Sequence, residues 1–163
     1  MQGVPRSFSR SAQWYSTMMG WRTEVDGAGV RLLLGRGIVA IDVPAAWATV
    51  VRATLERVER CTPALLLATA EPRVVFLADA DTSVLGQFQL PDGAKFLTAP
   101  AVLHLPELST SDTSSAFWYC PPDPAHRWLF PAGAVLQAVE AAASAGGNTP
   151  AKPRRVGNRL FIG

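Results

Sequence analysis

At 163 residues, of which 48% are hydrophobic and 17% charged, the chain is long enough to bury one core and too short for two of ordinary size. A net charge of +2, from 15 basic against 13 acidic residues, offers no field of one sign to a polyanion, so nucleic-acid binding would need local clusters. No apolar run approaches the ~20 residues of a membrane span, the basic N-terminus has no apolar stretch behind it, and Cys61 and Cys120 have neither CxxC nor HxxxH spacing. The expectation is a cytoplasmic protein with no membrane contact and two reduced, partly buried thiols, with a single disulfide as the alternative.

The spacing of Ala12, Tyr15, Met18 and Met19 predicts a short amphipathic helix over 11–19, capped by Ser9 or Ser11 and stopped by Gly20. Residues 21–25 and 30–34 flank Asp26-Gly27-Ala28-Gly29 and read as a hairpin. After Gly35-Arg36-Gly37, the unbroken apolar and β-branched run 38–43 predicts a central strand covered on both faces. Pro44 suits the first turn of a helix over 45–60, whose apolar positions are Trp47, Val50, Val51, Leu55 and Val58. Two further apolar runs, 64–70 and 73–78, surround Glu71-Pro72, and a polar break follows over 79–83. Phe88, Leu90 and 95–98 suggest a hairpin about Pro91-Asp92-Gly93. From 100 to 126 the text is rich in Pro, Ser, Thr and Asp and predicts loops, with one aromatic strand at 116–120. A last helix over 132–144 buries Val135, Leu136 and Val139. The reading is an α+β fold: a single domain over 1–145 with a mixed central sheet, hairpins and about three helices, followed by a flexible basic and apolar tail over 146–163.

Asp42 stands at the end of the central strand, where open sheets commonly hold their ligands. A metal-dependent nucleotidyl transferase would set a second carboxylate two residues on, to share the face, and Pro44 occupies that place. Alternatively, Asp42 caps the helix that begins near Pro44. Asp79 and Asp81 have DxD spacing, fit for Mg²⁺ or Mn²⁺ on an extended chain and equally for a solvated turn. His104 and His126, the only imidazoles, lack a cysteine nearby in sequence that would suggest a nucleophile and base. The absence of GxGxxG and GxxxxGK[ST] removes dinucleotide and P-loop readings. In the tail, Lys152, Arg154 and Arg155 beside Leu160-Phe161-Ile162 could meet phosphates or dock as a short peptide.

Taken in order, these segments resemble the bifunctional DNA primase/polymerase N-terminal domain, the prim-pol branch of the archaeo-eukaryotic primase superfamily, over residues 11–139. Members begin with a helix ending in Gly-Trp, matched by Met18-Met19-Gly20-Trp21. A glycine-bearing turn and a strand ending in an acid pair then resemble 35–44, a turn into a histidine-bearing strand resembles 69–76, and a third acid before an aliphatic run ending in Ala-Pro resembles 88–100. In active members the three acids hold two divalent metals and the histidine helps bind the incoming nucleotide. Here only Asp42 keeps its type. Pro44 stands for the second acid, Val74 for the histidine, and Gln89 or Gln87 for the third acid.

The resemblance therefore implies a catalytically inactive domain without a cofactor, acting as a binding or regulatory module. Its partner is expected to be a protein ahead of nucleic acid or nucleotide in the inherited cleft, with Arg36, Arg73, Lys95, His104, Arg154 and Arg155 as candidate contacts. Two alternatives stay open. One is an active transferase using Mg²⁺ or Mn²⁺ at a site rebuilt from Asp42, Asp79 and Asp81. The other is a glyoxalase-type small-molecule-binding domain, whose opening helix 11–21 also resembles.

Overall fold

The computed structural model describes residues 3–58, 60–80, 89–108 and 116–147. The first helix, α1 (Arg6–Trp14), begins after Pro5, five residues ahead of the predicted start, and runs into a π-helical turn over Tyr15–Met19. The wider turn leaves Tyr15 and Met19 both buried, and Gly20, in the left-handed region at φ 71°, ends it. Ser11 is no cap. It is buried, and its hydroxyl accepts from Leu108 N at 3.1 Å. The hairpin of β1 (Thr23–Asp26) and β2 (Gly29–Leu33) forms as its sequence predicts. Asp26 Oδ1 folds the loop by accepting from the N–H groups of Ala28 and Gly29.

The apolar run becomes β3 (Ile38–Pro44), followed directly by α2 (Ala45–Glu56) and then by β4 (Ala64–Leu67) and β5 (Arg73–Asp79). β3 and β4 each pair antiparallel with β5, which lies between them, and β6 (Lys95–Leu97) pairs with the outer side of β3. β3, α2, β4 and β5 thus form a split βαβ arrangement. The partner of β6 is a correction: the predicted hairpin with Leu90 is not formed by the described residues 89–90, and Phe88 lies outside them. A second correction is β7 (Val102–Leu105), a strand within the stretch expected to be loop. It pairs with β2 to give the sheet β1-β2-β7. β8 (Ala116–Cys120) closes the larger sheet, whose order is β6-β3-β5-β4-β8. Every ladder is antiparallel where a mixed sheet was expected; the one parallel pairing among the described residues is an isolated bridge between Asp79 and Pro131. The class is α+β, with α3 (Ala132–Gly147) as the third α-helix.

Alternation along β3 divides the core. Val39, Ile41 and Val43 face one way and pack with Val51 and Leu55 of α2 and Val135 and Val139 of α3. Ala40 faces the other way with Leu65, Val75 and Leu77, against Tyr15, Trp21, Val30, Leu32, Leu103 and Leu105. The five-stranded sheet is therefore covered on both faces, as the unbroken apolar character of 38–43 requires. Each fully buried Val, Leu, Ile or Phe stabilises by about 1.5–3 kcal/mol. Of the apolar positions expected on a helix over 45–60, Val50 stays exposed and Val58, also exposed, lies beyond the end of α2 at Glu56, so the helix is shorter and the stripe that reaches the core narrower than the sequence suggests. Residues 148–163, which carry Arg154 and Arg155, lie outside the described residues, as do Asp81 and Gln87.

Candidate functional site

Asp42 does not cap α2. The cap position is Pro44, without a side-chain hydrogen bond, and the first helical N–H, that of Ala45, is satisfied by Pro72 O at 3.0 Å. Register decides the fate of the carboxylate. Pairing of Pro44 with Arg73 and of Asp42 with Val75 makes Asp42 and Arg73 diagonal neighbours on one face. Arg73 Nε donates to Asp42 Oδ1 at 2.7 Å, and Nη2 donates to Asp42 O at 3.4 Å and to Gly93 O at 2.6 Å. With side chains only 14% and 20% exposed, Asp42 and Arg73 form a half-buried ion pair that ties β3, β5 and the turn before β6 together. Lys95 lies directly across from Asp42 on β6 and is exposed.

The other positions singled out by the sequence resemblance do not gather around Asp42. Pro44 shares its face, but a side chain on Gly93 would begin 3.6 Å from the Pro44 ring and from Trp47, so this corner is packed. Val74 is 1% exposed and packs in the α2/α3 core, on the opposite face of the sheet from Asp42. Gln89 is exposed outside regular structure. Asp79 pairs with Ile38 at the far end of β3, about 14 Å along the strand from Asp42 at ~3.4 Å per residue. One cation with oxygen ligands at about 2–2.6 Å cannot span that distance, which corrects the rebuilt metal site as far as Asp42 and Asp79 are concerned. Arg36 is at that far end, exposed with φ 49°. His104 is exposed on β7 opposite Arg31, in the smaller sheet. Of the candidates, then, the structure brings together Asp42, Arg73 and Lys95.

A second place went unread in the sequence. A cavity of about 590 Å³ opens where the end of α2, the approach to β4 and the segment between β8 and α3 meet. Val58, Pro63, Leu129, Phe130 and Pro131 give it apolar walls, and Arg60, Asp123 and His126 add polar groups. Asp123 begins a 3-10 turn over Pro124–His126. Its carboxylate accepts from Ala125 N at 2.9 Å and meets Arg60 at 2.9 Å and His126 Nδ1 at 3.1 Å. The Ala125 N–H, then His126 and Arg60, hold the Asp123 carboxyl below the usual carboxylate range. Trp128 also lines the cavity and is 91% exposed. The available signal was the apolar triplet Trp128-Leu129-Phe130 standing between Pro122 and Pro131 in an otherwise loop-like text.

Among the described residues no three His, Cys, Asp or Glu side chains group to hold a metal ion, and no helix is long and apolar enough to cross a membrane. Comparison with family models, curated proteins and solved structures finds no match for the chain.

Proposed function

We propose that the chain is a catalytically inactive, prim-pol-like domain that works as a docking module, taking an apolar side chain of a protein partner into the cavity beside Trp128. One observation carries the docking reading. Trp128 and Val58, at 91% and 79%, are the two most exposed large hydrophobic residues of the described chain, and both line the same cavity. An apolar pocket with an exposed indole and a polar edge has the make-up of an interface centre. A protein is favoured over nucleic acid because the cation lining the cavity, Arg60, is already engaged by Asp123. Loss of catalysis is supported by Asp42, whose carboxylate is spent on Arg73, and by the packed corner at Pro44 where a second acid would be needed.

Selection of a random peptide library on the immobilised protein tests the reading. Peptides with an aromatic or branched aliphatic anchor are expected, and Trp128→Ala should weaken them at least about tenfold. Because the ring is exposed, the unfolding midpoint should not move. Binding that is indifferent to Trp128→Ala, or no selected peptide at all, overturns the docking reading. Primer extension with Mg²⁺ or Mn²⁺ that disappears in Asp42→Ala overturns the inactive one.

A further inference from the structure

The exposed stripe of α3 leads from the end of that helix to the cavity beside Trp128. Gln137, Ala141 and Ser144 are exposed, and Ala134, which lines the cavity, precedes them on the same face at spacings of three and four residues. Glu140, the one charged residue of α3, is exposed beside the stripe. At the cavity the unmet demand is apolar. Arg60 and His126 are both engaged by Asp123, whereas Val58 and Trp128 stay exposed. Beyond Gly147 the chain supplies Lys152, Arg154 and Arg155 and then Leu160-Phe161-Ile162, the one run of three large apolar residues after α3.

We propose that Leu160-Phe161-Ile162 is the cavity's own occupant: the segment after α3 turns back along the exposed stripe and seats Phe161 beside Trp128, where a partner's anchor must displace it. The inference rests on the docking reading and adds the regulation of that site. Reach permits it. Ala134 and Gly147 are ~20 Å apart along the helix axis at ~1.5 Å per residue, whereas the chain from Gly147 to Phe161 spans ~46 Å when extended at ~3.3 Å per residue. About half of that length returns the chain to the cavity, and the remainder makes the turn and the entry. Charge favours the same path. Lys152, Arg154 and Arg155 come before the triplet and pass Glu140, and no acidic residue follows Gly147 to oppose them. The triplet suits the cavity for the same reason as a partner's anchor, because an aromatic and two branched aliphatic side chains leave water for apolar walls. An occupant on the same chain, joined by a linker matched to the span, has an effective concentration of about 1 mM. With an affinity of ~100 μM for the cavity, it weakens the binding of an outside peptide about tenfold.

The indole N–H resonances of the full chain test the proposal, the one from Trp128 being identified by its absence in Trp128→Phe. Leu160→Ser combined with Phe161→Ser should shift the Trp128 resonance. Those of Trp14, Trp21 and Trp118, in the cluster on the other face of the sheet, should stay in place and report an intact fold. The difference should not depend on protein concentration, and a synthetic peptide of residues 148–163 added to the double variant should reverse it. A Trp128 resonance indifferent to the two substitutions, or a difference that vanishes on dilution because a second copy supplied the triplet, overturns the proposal. The peptides selected from the library separate this failure from failure of the docking reading. They should bind the double variant at least about tenfold more tightly than the unaltered chain. Peptides that need Trp128 yet bind both proteins equally overturn the internal occupant and leave the docking reading intact. A Trp128 resonance that follows the triplet while no peptide is selected overturns the docking reading and keeps the triplet as the cavity's occupant.

Discussion

Tyr15 joins three parts of the molecule through one hydroxyl. It donates to Pro106 O at 2.6 Å and accepts from Trp118 Nε1 at 3.0 Å, while its ring stacks on Trp21 at 5.7 Å. Burial pushes its pKa from 10.0 up to about 12, with the Trp118 N–H working in the other direction. The raised value fixes the sign of a pH effect. Between 10.0 and about 12 the unfolded chain loses this proton while the folded chain keeps it, so the stability it contributes is complete below that window and falls as pH rises through it. Tyr15→Phe should lack this alkaline fall. At neutral pH it should be weaker by about 1–3 kcal/mol, because a buried carbonyl and an indole N–H lose their partner. Urea midpoints of the two proteins on either side of the window check both statements. The sequence marks Tyr15 as a core position of a helix but not as a hydrogen-bonding centre, since Pro106 and Trp118 are 91 and 103 residues away. Asp42 teaches the same lesson. Its place at the end of a buried strand is legible locally, whereas its partner Arg73 follows from the register of β5, and no local pattern contains that register.

At the scale of elements, legibility follows the length of the pattern. The run 38–44 and the helices α2 and α3 have repeats long enough to read, and they form. β7 has only four residues, Val102-Leu103-His104-Leu105, with prolines close on both sides. Its alternation of exposed and buried side chains becomes evident only once β2 supplies a partner. Helix starts depend on what announces them: α1 begins after Pro5 with no side-chain cap, five residues ahead of the expected start, whereas Pro44 marks the start of α2 at Ala45 as its sequence predicts. The stop at Gly20 was legible, and its reason can be tested. At φ 71° a side chain is strained whatever the space around it, and a Cβ would also meet Arg127 Nη2 at 2.9 Å. The arginine end can move aside but the backbone cannot, so Gly20→Ala should cost about 1–2 kcal/mol. Gly27→Ala provides the control. Nothing lies within 4 Å of its Cβ and its φ is not in the left-handed region, so the midpoint should stay within about 0.5 kcal/mol of the unaltered chain. Equal effects of the two substitutions in denaturant unfolding would show that backbone conformation at Gly20 does not govern the end of this turn.

The whole molecule is two cores with one sheet between them, and that arrangement determines how it should unfold. Leu32, fully buried, belongs to the cluster beneath the smaller sheet, and Leu55, 2% exposed, to the cluster beneath α2 and α3. No local pattern assigns them to different cores, because the face a strand or helix meets depends on pairings distant in sequence. Each Leu→Ala change removes buried side chain and leaves a cavity, at about 2–5 kcal/mol. The sites lie on opposite sides of the sheet and share no cluster, so their costs should add within about 0.5 kcal/mol. The double variant then loses about 4–10 kcal/mol, a large part of the 5–15 kcal/mol that holds a domain of this size. If the shared strands β3, β5 and β4 couple the cores, neither can melt alone. Ala40 and Ile41, adjacent on β3, face different clusters, and release of one face exposes the strand that supports the other. Near-UV signals from the buried Trp21 and Tyr15 and far-UV signals from the helices should therefore give one coincident midpoint in the unaltered chain and in both single variants. Separation of the two signals in Leu32→Ala, with the helical signal keeping its original midpoint, would mean that the sheet isolates its two faces instead of coupling them.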